Sequence, residues 1–302
     1  MLKKAFLVIV SCAGSDFHVN LQIIIIKISG MKRNILVLVI GCLFCSGVYG
    51  QSYKERFSTA LEAKDMAKAE ATLKEWDFND ANDAELYVSY FNFFTVKSME
   101  NSSEENVKAN SSKALEFITE GIQRFPTRFD MRIAKIYMLN EIKEYDEFTS
   151  EIIKLIDASV KNRNDWKGED FTLIEKPDDM FFGAILEFQE MLFKKNDPNL
   201  HKNIIKISEK MQAVFPRHTQ SRLIMSTVYI AQKEFDKSLK ALQAAEKYEP
   251  DNSILLYNIA YVYAEKGDKV NAKKYYELAI TNITEKEVKL KEAAQKQIEL
   301  LK

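Results

Sequence analysis

Side chains able to do chemistry are scarce after residue 50. The chain has three cysteines, Cys12, Cys42 and Cys45, and all precede Gln51. Beyond that point the chain offers no thiol nucleophile, no cysteine metal ligand and no disulfide. Two histidines remain there, His201 and His218, and neither has a glutamate three residues before it. The helical metal spacings HExxH and ExxH are therefore missing, so the sequence implies no metal site. Both histidines fall at helix starts and read as exposed surface residues. Glu187 and Glu190 occupy neighbouring positions on one face of the segment MFFGAILEFQEMLF. An acid/base pair would also need burial to shift a pKa and a facing partner, so a solvated face is expected. The cluster Tyr87, Tyr90, Phe91, Phe93 and Phe94 covers most of a helix circumference and reads as core. Phosphate loops of the GxxxxGK or GxGxxG type and the GxSxG elbow do not occur. The expectation is no catalytic residue and no cofactor, hence no enzyme.

The elements behind these residues can be read from composition. Of nine glycines, only Gly121, Gly168, Gly183 and Gly267 lie beyond Gln51. Hairpins and bulges of a sheet protein would need many more, whereas the abundant Leu, Lys, Glu and Ala lose little freedom in a helix. The prediction is all-α. The chain carries 43 basic and 44 acidic side chains, of which residues 1–50 hold five and one, leaving 38 and 43 and a net charge of −5. Without a dense basic stripe, nucleic acid is not an expected partner.

Residues 31–50 and their flank, MKRNILVLVIGCLFCSGVYGQ, have the layout of an export signal. Lys32 and Arg33 precede an apolar run from Ile35 to Cys45, and Val48 and Gly50 suit cleavage before Gln51. That run is short for a bilayer span. Residues 1–30 read as an upstream extension or a mis-assigned start, with translation beginning at Met31. Val39-Ile40-Gly41-Cys42 resembles a lipobox, which makes lipidation at Cys42 the alternative; Ile9-Val10-Ser11-Cys12 has the same form. Either processing implies export to a bacterial periplasm or cell envelope. The membrane would then be met only through the signal peptide or a lipid.

Repetition sets the fold of residues 51–302. Residues 219–252 laid over 253–286 match at a fixed offset: Met225 on Ile259, Ser226 on Ala260, Tyr229 on Tyr263, Ser238 on Ala272, Leu242 on Tyr276 and Ala245 on Ala279. Small residues at 226, 238, 260 and 272 let two antiparallel helices touch, and the large ones fill the space beside them. Looser copies are expected over 82–126, 127–160 and 178–216, with a degenerate hairpin near 53–76. This pattern resembles the tetratricopeptide (TPR) repeat, with Gly267-Asp268 where that family turns between helices and Pro250 where the second helix stops. Arg222 and Leu256 replace its first aromatic residue, and Thr284 its final proline. The resemblance implies a right-handed superhelical stack of antiparallel helix pairs, a TPR-like α-solenoid, closed by a C-terminal capping helix over 286–301.

Two segments are expected to interrupt the helices. The polar stretch 99–112 reads as a long loop. Residues 161–179 read as a loop pinned onto the stack by Trp166, Phe171 and Ile174, or else as a partner-contacting insertion. The family resemblance places a partner-binding groove on the first helix of each repeat: Gln220, Leu223, Thr227 and Ile230, then Ile254, Tyr257, Tyr261 and Glu265. The looser repeat adds Arg128, Met131, Lys135 and Met138. Tyr257 and Tyr261 could instead pack against an adjacent repeat or the cap. The implied function is a non-catalytic protein or peptide scaffold in the cell envelope; the alternative is an extracytoplasmic (lipo)protein binding glycan or a small ligand.

Overall fold

The computed structural model describes residues 52–100, 103–169, 172–284 and 287–301. The expected export signal and the segment before it lie outside the described residues, as does Phe171. Thirteen α-helices run through the described residues, whose only β pairings are two isolated bridges. None of these helices is long and apolar enough to cross a membrane. The described residues divide into two compact units, meeting in sequence at Pro177 and Asp178.

The first unit holds α1 (Tyr53–Glu62), α2 (Met66–Asn79), α3 (Ala84–Glu100), α4 (Glu104–Arg124), α5 (Phe129–Glu141) and α6 (Tyr145–Asn162). Its apolar interior has two parts. Phe57, Ala69, Leu73, Trp76, Leu86 and Phe93 join α1, α2 and α3. Tyr87, Phe91, Ala114, Ile118 and Met131 join α3, α4 and α5. The aromatic run on α3 serves both, which is why it circles the helix. Gly121 of α4 allows close approach: a Cβ there would stand 2.8 Å from Tyr87 Cβ and 3.1 Å from Met131 Sδ.

The second unit holds α7 (Pro177–Lys194), α8 (His201–Val214), α9 (Gln220–Ala231), α10 (Phe235–Glu246), α11 (Ser253–Glu265), α12 (Lys269–Thr281) and α13 (Val288–Leu300). Ser226, Ala260, Ser238 and Ala272 are fully buried, as contacts between paired helices require. Leu223, Ile230, Leu242, Leu255, Ile259 and Val262 form one apolar cluster across α9, α10 and α11. Leu256, Tyr257, Tyr276, Leu290 and Ala294 form the next and bring α13 onto the end of the stack. The expected cap is present. Thr284 serves where a proline was missing: its N–H and hydroxyl both donate to Glu287, at 2.9 and 2.8 Å.

Four hairpins turn in the same way. Lys64, Lys143, Lys233 and Gly267 take left-handed φ angles of 58°, 64°, 60° and 81°. In each, the next residue's N–H reaches the carbonyl five residues back: Asp65 to Ala60, Glu144 to Leu139, Glu234 to Tyr229 and Asp268 to Tyr263, at 2.8–3.0 Å. This closes the orphan carbonyls at the helix end. Asp65 and Asp268 then cap the following helix through their carboxylates.

The long loop expected over 99–112 is corrected. α3 continues to Glu100 and α4 begins at Glu104. Ser103 caps α4 by accepting from Asn106 N–H, and Glu104 and Glu105 oppose its dipole. Most polar residues of the stretch lie on the exposed face of α4, while Ser111 is buried at a helix contact where its hydroxyl meets that of Ser98 at 3.0 Å.

Candidate functional site

In the first unit the groove positions expected on α5 are taken up internally. Arg128 precedes α5 with its side chain fully buried. Its guanidinium reaches Glu85 of α3 at 2.7 Å and grips Asp130 through two bonds of 2.8 and 2.6 Å. Lys54 of α1 joins at 2.7 Å from Glu85. Burial alone would pull the Arg128 pKa down, but Asp130 and Glu85 together hold it above its ordinary value. Met131 is fully buried beside Gly121. Lys135 is buried and pairs with Glu151 of α6 at 3.2 Å, and Met138 belongs to the core. Arg128, Met131 and Lys135 thus do not line an open groove. The reason is that α5 is covered on this face by side chains of its own unit.

The segment after α6 folds back on the same unit. Lys167 N–H donates to Thr127 C=O at 2.9 Å, and Phe129 N–H donates to Lys167 C=O at 3.1 Å. Trp166 is 1% exposed. Its ring meets Phe129 edge-on at 5.4 Å, with the Arg132 guanidinium 5.7 Å away. The expected pinning through Trp166 is observed. Glu169 of this segment faces Lys54, Asp130, Glu85 and Arg128; burial first, then the two carboxylates, push its pKa up against the two cations.

In the second unit, three expected groove residues of α9 are also inside. Leu223, Thr227 and Ile230 are 2%, 4% and 7% exposed. Leu223 and Ile230 pack on α11, while Thr227 donates to the Leu223 carbonyl. Successive hairpins approach closely enough that the row facing inward becomes the interface with the next repeat. Tyr257 is likewise buried, its ring 5.2 Å from Tyr276 in a T-shaped pair, so it packs within its own repeat and against the cap.

One stripe of α11 stays accessible. Ile254, Asn258, Tyr261 and Glu265 succeed one another at spacings of four, three and four, and lie within about 60° around the helix axis. Ile254 and Tyr261 are half-buried and Glu265 is exposed. Asn258, which the spacing argument overlooked, is 2% exposed and its Nδ2 has no hydrogen-bond partner among the described residues. Beneath lies Tyr276, fully buried, whose hydroxyl is also without a partner there. Burial raises its pKa, and Tyr257, Tyr261 and Glu265 add to the rise. The Tyr261 hydroxyl is pushed up to about 12 by burial and by the Glu265 carboxylate. The stripe offers an apolar foot, hydrogen-bonding groups and one carboxylate.

The histidines are not free surface groups. His218 stacks on Phe182 at 4.4 Å and lies 3.2 Å from the Ser221 hydroxyl, and burial lowers its pKa. His201 stacks beside Phe193, and its pKa is also lowered by burial. Glu187 is exposed, as a solvated face requires, whereas the Glu190 side chain is only 14% exposed and pairs with Lys194 at 2.9 Å.

No family model matches the chain. No curated protein matches it either. Among solved structures, it is similar to YrrB, described as a TPR protein with an unusual peptide-binding site. Identity there is 16%, with 74% of this chain and 97% of that one covered at a TM-score of 0.40. It is also similar to MamA from Desulfovibrio magneticus RS-1, at 12% identity, 64% and 94% coverage and a TM-score of 0.36. The TPR domain of P58(IPK) aligns at 18% identity, 82% and 63% coverage and a TM-score of 0.31. These likenesses concern helical-hairpin architecture alone.

Proposed function

We propose that the chain is a non-catalytic protein-interaction module of stacked, TPR-like helical hairpins, exported to the bacterial cell envelope. Its contact surface is the open stripe of α11. The observation that carries this reading is the stripe itself: Ile254 and Tyr261 are half-buried and Glu265 is exposed, whereas Thr227, the equivalent of Tyr261 in the preceding repeat, is buried. Buried Asn258 Nδ2 on the same stripe has a hydrogen-bonding capacity that its own fold leaves unused. Export rests on the signal pattern of residues 31–50.

Two experiments test this. Affinity capture from native envelope extract with the wild-type protein is compared with a Tyr261→Ala, Ile254→Asp variant that keeps its helical circular dichroism. A protein held by the wild type and lost by the variant supports the surface; identical recovery by both removes it. N-terminal sequencing of the native mature protein should start at Gln51. A lipidated Cys42 would replace soluble export by lipoprotein processing, and a start upstream of Met31 would remove the export reading.

A further inference from the structure

The charge on the α11 stripe belongs to one residue. Glu265 is exposed and has no ion pair among the described residues. Its neighbour Lys266 is turned away to Asp236 of α10. One turn before Glu265 lies the half-exposed Tyr261, which packs on the cluster of Leu223, Ile230 and Val262 and whose hydroxyl faces the Glu265 carboxylate. Tyrosine rings present a negative face, and a carboxylate beside them deepens the attraction for a cation. An acidic segment would meet uncompensated repulsion from Glu265, and a purely apolar one would leave that carboxylate unused at the edge of the contact.

Taking the α11 stripe as the contact surface, we propose that the partner segment it receives carries a lysine or arginine side chain, seated over the Tyr261 ring and against Glu265. Ile254 takes an apolar neighbour of that basic residue. The recognised chemistry is a basic–apolar peptide segment in extended or helical form.

The test is selection of random-sequence peptides on the full chain, followed by binding of the enriched peptides to wild type, Glu265→Lys and Tyr261→Ala. Both variants are first matched to wild type in their urea unfolding midpoints. The expected result is enrichment of Lys or Arg at one position. Binding should weaken about tenfold or more when that residue becomes Gln or when Glu265 becomes Lys. Peptides without a basic residue that lose binding to Tyr261→Ala, yet bind Glu265→Lys as they bind wild type, would overturn the basic partner and leave the contact surface standing. If no peptide is enriched, or if enriched peptides ignore Tyr261→Ala, both the basic partner and the contact surface fall.

Discussion

Replacing Arg128 by Met is expected to be among the most damaging single changes in the first unit. The guanidinium is fully buried and engages two carboxylates, Glu85 and Asp130, each with a side chain only 12% exposed. A hydrophobic side chain of similar length fills the space but leaves both carboxylates in a site built around a cation. Removing one partner of such a buried arrangement costs about 3–5 kcal/mol. With a urea slope of about 2 kcal/mol/M, that corresponds to a midpoint lowered by about 2 M. The assay is intrinsic fluorescence, because the chain's two tryptophans, Trp76 and Trp166, both lie in this unit. The signal therefore tracks the unit that carries the substitution. A triple variant, Arg128→Met with Glu85→Gln and Asp130→Asn, has no stranded carboxylate, leaves only the more exposed Lys54 without its partner, and should recover most of the loss. A drop below about 1 kcal/mol in the single variant, or a triple variant no more stable than the single one, would refute the reasoning.

Four other outcomes are expected. Lys143→Gly and Lys233→Gly should each stabilise by up to about 1 kcal/mol, because these positions hold left-handed φ angles that cost an L side chain. Gly267→Ala should destabilise by a similar amount, about 1 kcal/mol, and unfolding midpoints by circular dichroism read all three. Gly121→Ala forces a methyl against Tyr87 Cβ, which backbone geometry holds in place, so unfolding monitored by tryptophan emission should show a loss of about 1–3 kcal/mol. Glu169 has a folded pKa above its unfolded value, so the stability it contributes is fully present below the unfolded pKa. That contribution is lost as pH rises through the folded pKa. Glu169→Gln should therefore flatten the dependence of the fluorescence midpoint on pH across the carboxylate range; an unchanged slope would count against the docked geometry of that segment.

Much of the helical framework was legible in the chain. Small residues at 226, 238, 260 and 272 with large ones at 242 and 276 can satisfy only one arrangement, two antiparallel helices in contact. The stretch 99–112 misled for the converse reason: polar side chains such as Ser111 suit both a loop and a helix, and composition does not separate the two. The lysine-bearing turns were also hidden. Gly267 announces a left-handed residue, but Lys64, Lys143 and Lys233 adopt the same conformation only because the hairpin imposes it.

By itself the sequence determined periodicity, and with it helix faces and the pairing of neighbours, since these depend on spacing along one chain. Which inward-facing row stays open was decided by tertiary structure alone. Leu223 and Thr227 and their counterparts Tyr257 and Tyr261 occupy equivalent positions in consecutive repeats. Leu223, Thr227 and Tyr257 are buried, while Tyr261 stays half-exposed. Accessibility depends on what the next hairpin brings against a face, a distance across space that no local pattern encodes.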